Sequence, residues 1–158
     1  MLTLIGLGNR WRGDDAAGLL VAERLGERAP AGVEVRVHER EPLELLSELD
    51  GTPALWLIDA IRCDRRRAGV LLRFDASEEP LPASLFGVST HDIGLADTLE
   101  LARSLGRLPK QVIVHGIVGA RFDVGERPSP AVARAVRTLA RTLVHELRQP
   151  VAAAGGGC

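Results

Sequence analysis

The chain has 158 residues, 46% hydrophobic and 26% charged, with a formal net charge of −1. That length suits one domain able to bury a core without disulfides or a structural metal. The small net charge argues against a nucleic-acid or membrane-surface partner, and no apolar run approaches the roughly 18 residues of a membrane span.

In chain order, Leu2 to Leu7 is a continuous apolar run ending in glycine, which predicts a strand buried on both faces. Asp14 or Asp15 is placed to cap a helix through about Arg28, with Leu19, Leu20 and Leu25 facing inward. "VEVRVHE" (33–39) alternates with period two, and its valines favour a strand from which His38 would point outward. "LELLSELD" (43–50) follows Pro42 as a short amphipathic helix. "ALWLIDA" (54–60) reads as a second buried strand and "GVLLRFD" (69–75) as a more polar one. Gly94 or Leu95 to Arg107 is predicted helical, with Leu95, Leu99, Ala102 and Leu105 on one face and Gly106 closing it. "QVIVHGI" (111–117) is the last strand, and Ser129-Pro130 opens a helix to about Leu147, serine as cap and proline at the first position.

Strands separated by helices imply a mostly parallel sheet covered on both sides. The link from Ala60 to Gly69 is too short for a parallel crossover, so strands 54–60 and 69–75 are expected to include an antiparallel neighbour. One domain over 1–149 and a disordered tail over 150–158, "AAAGGGC" at its end, complete the organisation. Cys63 and Cys158 are the two cysteines, and no basic segment precedes the glycine turn, so the expected compartment is the cytoplasm.

The turn "LIGLGNRWRGDDAAG" (4–18) starts as a dinucleotide site does, but it ends on acid where a phosphate would need N–H groups and positive charge. Ligands collect beyond the carboxyl ends of parallel strands, and three side chains are expected there: Asp15 after the first strand, Asp59 ending "LWLID" and His91 in "VSTHDIGL". Two carboxylates and an imidazole suit a divalent transition metal such as Zn, Fe, Co or Ni, with coordination positions left open. Each also has a plainer reading: a helix cap for Asp15, a turn cap for Asp59, a surface histidine for His91. One aspartate suffices for a cap, so the doubled Asp14-Asp15 leaves a spare carboxylate. Cys63 in "DAIRCDRRR" reads as a plain thiol, and no G-x-S-x-G elbow is present.

Taken together, "GLGNRWRGDDAAG" at 6–18, "LIDA" at 57–60, "STHDIGLADTLELARSLGRLPKQVIVHGI" at 89–117 and "GERPSPAV" at 125–132 resemble the hydrogenase maturation proteases. These endopeptidases trim the large-subunit precursor of [NiFe] hydrogenases. The resemblance implies an α/β three-layer sandwich, a twisted five-stranded mostly parallel sheet with one antiparallel strand between helices. It places metal contacts on Asp15, where many members have Glu, and on Asp59 and His91. It also implies nickel supplied by the substrate, no nucleotide, and cleavage of a C-terminal extension once nickel is in place. Asp15 or Asp59 is the candidate general base of an aspartic-type endopeptidase; alternatively the metal polarises the scissile carbonyl or activates water. The expected partner is the [NiFe] hydrogenase large-subunit precursor, bound by a monomer. Other readings are a metal-recognising chaperone without protease activity and a peptidyl-tRNA hydrolase-like enzyme sharing the "GLGN" turn. The latter would want a basic surface and a histidine and asparagine where this chain has "RGDDAAG". A dinucleotide-binding module would want G-x-G-x-x-G, where position 11 is tryptophan.

Overall fold

The structure is a computed structural model that describes residues 1–86 and 93–149. Five strands, β1 (Leu2–Leu7), β2 (Val33–His38), β3 (Ala54–Arg62), β4 (Leu71–Asp75) and β5 (Gln111–Gly119), form one sheet in the order β2-β1-β3-β5-β4. The first four of that order run parallel, and β4 is antiparallel to β5. The reversal demanded by the short link after β3 is therefore present, but β4's partner is β5, which inserts between β3 and β4.

Alternation along the strands divides the core into two layers. On one face Leu55, Leu57 and Ile61 of β3 and Val112, Val114 and Val118 of β5 pack against Leu95, Leu99 and Ala102. Those last three belong to an α-helix at Leu95–Ser104; Leu45 and Leu49, of the 3-10 turn Pro42–Glu48 and its end, join them. On the other face Leu4, Ile58, Ala60 and Ile117 meet Ala17, Val21 and Leu25 of α1 (Ala17–Gly26) and the stripe Val132, Val136, Leu139, Leu143 of the last helix. With a short α2 (Ala83–Phe86), these are α3 (Leu95–Ser104) and α4 (Pro130–Arg148). The result is the expected three-layer α/β sandwich.

Several local expectations are revised. Residues 14 and 15 do not cap α1 but lie inside a 3-10 turn, Gly13–Ala16, and α1 stops at Gly26 rather than Arg28. The segment after Pro42 is a 3-10 turn, not an α-helix. In β2, Val37 is 46% exposed while His38 is buried, so the histidine points in and not out. Its Nδ1 lies 3.0 Å from Glu48 and its Nε2 3.0 Å from the Glu41 carbonyl. β2 is an edge strand, which explains why its alternating valines are covered so little. Leu105 is exposed beyond the end of α3, and Gly106 turns the chain there at φ +67°. The tail over 150–158 lies outside the described residues. No helix among the described residues is long and apolar enough to cross a membrane.

Candidate active site

The turn after β1 is shaped by close packing. A Cβ at Gly6 would strike the carbonyl of Gly18, and one at Gly18 would strike the carbonyls of Leu7 and Ile58. α1 can therefore begin flush against β1 and β3 only with glycine at both positions. Gly8, at φ +144°, lies under the Asp15 carbonyl with no room for a side chain. These contacts fold the glycine turn back over the end of β1 and bring Asp15 above the sheet.

The two acids diverge from there. Asp14 is fully buried and its carboxylate accepts from the N–H groups of Ala120 (2.7 Å), Arg121 (2.9 Å) and Ser129 (2.6 Å) and from the Ser129 hydroxyl (3.0 Å). It ties the turn to the segment between β5 and α4. Ser129 consequently spends its hydroxyl on Asp14 rather than capping α4, whose N-terminus has no side-chain cap bond. The doubled acid thus has one structural and one pocket-facing member.

Asp15 lines a cavity of about 210 Å³ together with Asp59. Asp59 is not at the end of its strand: β3 continues to Arg62 along β5. It is instead the first residue past the last β1–β3 pair, Gly6 with Ile58. The departure of β1 leaves that position open, and the cavity forms there. The walls include Asn9, Arg12, Glu39, Arg62, Phe86 and Leu95.

Electrostatics couples the two carboxyls. Burial, and then the charge on Asp15, push Asp59 up to about 8, against the pull of the Ala60 N–H. Burial also raises Asp15, while the Asn9 N–H and the guanidiniums of Arg12 and Arg62 act the other way. Asp59 therefore keeps its proton up to about 8, with the charge of Asp15 opposing its loss. Such a site can accept a proton from water through Asp15, or exchange the Asp59 proton for a cation bound by both oxygen sets.

His91, the third residue expected here, falls in 87–92, outside the described residues. Phe86 and Leu95, near either end of that stretch, both line the cavity. Among the described residues no cluster of three or more His, Cys, Asp or Glu side chains is close enough to hold a metal ion. Arg12, Arg62 and Phe122 are among the cavity residues that escaped the sequence reading, with Arg62 stacked 4.2 Å over the Phe122 ring. Arg12 sits between the glycine turn and the acidic pair, and that adjacency was its only signal. Nothing in the sequence marks Arg62 or Phe122, which reach the cavity from the ends of β3 and the β5–α4 segment.

Comparison with known proteins agrees with this architecture. A family model described as hydrogenase maturation protease matches residues 33–146. The Hydrogenase 2 maturation protease of Escherichia coli K12 is 26% identical over 151 residues, covering 94% of this chain and 91% of that protein. The Thiocapsa roseopersicina protein HupD is 24% identical, covering 89% of this chain and 68% of its own length. Among solved structures, the [NiFe] hydrogenase maturation protease HycI of Thermococcus kodakarensis superimposes with a TM-score of 0.75 at 24% identity, over 94% of this chain and 92% of that one. The E. coli endopeptidase HybD gives 0.72 at 23%, over 93% and 91%. These two structures support the fold. With the family model spanning most of its length, this chain belongs to the hydrogenase maturation protease family, a family of peptide-bond hydrolases.

Proposed function

We propose that this protein is a cytoplasmic, monomeric endopeptidase that removes the C-terminal extension of a [NiFe] hydrogenase large-subunit precursor after nickel insertion. It would read the substrate's nickel with Asp15, Asp59 and His91. The observation that carries this reading is the pairing of Asp15 and Asp59 in one open cavity, with Asp59 held protonated to about 8 by burial and its neighbour's charge.

The donor set fits a divalent metal ion. Two half-buried oxygen donors that repel each other gain most from a cation between them, since it removes both the repulsion and the need for the proton. A nickel ion already seated in the substrate brings its own protein ligands, so this chain need supply only a few. Ligation then contributes binding energy to the filled precursor and none to the empty one, which is how a filled site is told apart. Bound there, the metal would polarise the adjacent carbonyl or lower the pKa of water.

The chain's own residues account for the remaining steps. Asp15 is the carboxylate free to take a proton from the attacking water, and Arg12 and Arg62 favour its charged form. The proton that Asp15 takes from water then passes to the leaving amine, while Asp59, its own proton displaced by the metal, remains a ligand. Phe86 and Leu95 supply an apolar wall against bulk water.

The test is cleavage of purified nickel-loaded and nickel-free precursor, read as loss of the C-terminal peptide by mass. Cleavage restricted to the loaded form, abolished in Asp15→Asn and Asp59→Asn and weakened in His91→Ala, supports the reading. Full activity in any of the three removes that residue from its role, and equal cleavage of both precursors refutes nickel recognition.

A further inference from the structure

We propose that Trp11 and Val124 form a rigid apolar platform on which the substrate protein docks beside the cavity. This rests on the proteolytic reading above and names the surface that grips the precursor.

Trp11 and Val124 are each 72% exposed, more than any other large apolar side chain except Met1 among the described residues. Neither belongs to a core cluster. They lie on two segments that are stitched together. The Gly125 N–H donates to the Trp11 carbonyl (2.8 Å), the Gly13 N–H to the Glu126 carbonyl (3.1 Å) and the Asp14 N–H to the Arg121 carbonyl (2.7 Å). The Asn9 side chain accepts from the Trp11 N–H at 2.9 Å, bending the chain at Trp11. Asp14 locks the same two segments from below with the four bonds described above. A backbone held this firmly has little left to order on binding, which lowers the cost of burying the two side chains.

Position says what covers it. Arg12 and Phe122, neighbours of the platform in each segment, line the cavity that holds Asp15 and Asp59. A peptide bond delivered to those carboxyls carries its flanking residues across this rim. Around the two apolar side chains, Arg10 pairs with Glu23 and Glu39 and Arg12 faces Asp15, while Arg121, Asp123, Glu126 and Arg127 form an exposed rim of both signs. The occupant that fits is an apolar stretch of the precursor next to its scissile bond, held by the area it buries on Trp11 and Val124. A lone tryptophan anchor at the edge of an active site is the residue type that dominates such contacts.

The experiment measures nickel-loaded precursor cleavage as kcat and KM for the full chain, Trp11→Ala, Trp11→Phe and Val124→Ala. Trp11→Ala should raise KM by about tenfold or more with kcat nearly unchanged, and Trp11→Phe should recover most of that. In parallel, 5-hydroxytryptophan is incorporated into a Trp56→Phe chain, leaving Trp11 as the sole reporter, excited apart from the precursor's own tryptophans. Its emission should shift to the blue as precursor binds. Cleavage by the unsubstituted chain with an unchanged KM in Trp11→Ala refutes the platform alone. Emission that stays put while precursor binds does the same. Failure of the unsubstituted chain to bind or cleave precursor refutes the proteolytic reading and, with it, the occupant named here. A Trp11-dependent dimer without precursor, seen by sedimentation, would make this face a self-contact and also overturn the proposal.

Discussion

Replacing Asp59 by asparagine keeps the side chain's size and its acceptor for the Ala60 N–H but removes the carboxyl whose ionisation the fold opposes. The fold raises that carboxyl from 3.8 to about 8. A raised acid pKa means the folded chain holds a proton that the unfolded chain has released, so stability falls as pH climbs from about 4 to about 8. The cost grows by about 1.4 kcal/mol per pH unit, which reaches about 4 kcal/mol at neutral pH before screening. Solvent entering the cavity, and relief of the shared charge on Asp15, reduce it to about 2 kcal/mol. For a chain this long, Asp59→Asn should raise the melting temperature by roughly 6 °C at neutral pH and by almost nothing near pH 4. The assay is urea unfolding of both proteins in metal-free buffer across that range, read as the difference between them. A difference that does not widen with pH refutes the coupled-carboxyl picture. So does a variant that is less stable than its parent at neutral pH.

Three further outcomes follow from the same structure. Asp14→Ala strands the N–H groups that its carboxylate accepts, the buried Ser129 N–H foremost, and should cost about 3 kcal/mol in denaturant unfolding; a loss under 1 kcal/mol would mean water replaces the carboxylate. His115 is buried with Nε2 unpaired, and burial followed by the Arg73 charge lowers it from 6.5 to about 4. A lowered histidine pKa gives stability that is complete above about 6.5 and is lost as pH falls towards 4. His115→Leu should therefore flatten the acid limb of the stability profile and add about 1 kcal/mol at neutral pH, and an unaltered acid limb would show that the imidazole is not the group responsible. Gly18→Ala drives a methyl into the Leu7 and Ile58 carbonyls; because both are backbone, α1 must lift, and unfolding should show a loss of at least about 3 kcal/mol. A loss below 1 kcal/mol would show that the turn does not depend on that close approach.

Much of this protein was legible in the order of its residues. Uninterrupted apolar runs at β1, β3 and β5 announce strands covered on both faces, because only a sheet between two helical layers hides both sides of a strand. The 25 residues between β1 and β2 and the 15 between β2 and β3 leave room for parallel crossovers, and the short stretch after β3 dictates a reversal. Doubled acid at the end of a glycine turn marks the site for the same reason it excludes a phosphate: like charges repel.

Tertiary structure decided what local pattern has no means to encode. β4 pairs with β5 and not β3 because a strand 36 residues later in the chain, from Asp75 to Gln111, inserts between them. His38 and Asp14 are buried because distant acceptors and donors, at Glu41 and Glu48 for the one and at 120–129 for the other, meet their polar atoms and make burial affordable. Asp59 holds its proton not through its neighbours in sequence but because β1 ends one pair earlier, opening a cavity where burial and Asp15's charge act on it. A carboxyl's pKa depends on what surrounds it in space, and that surrounding is assembled only by the fold.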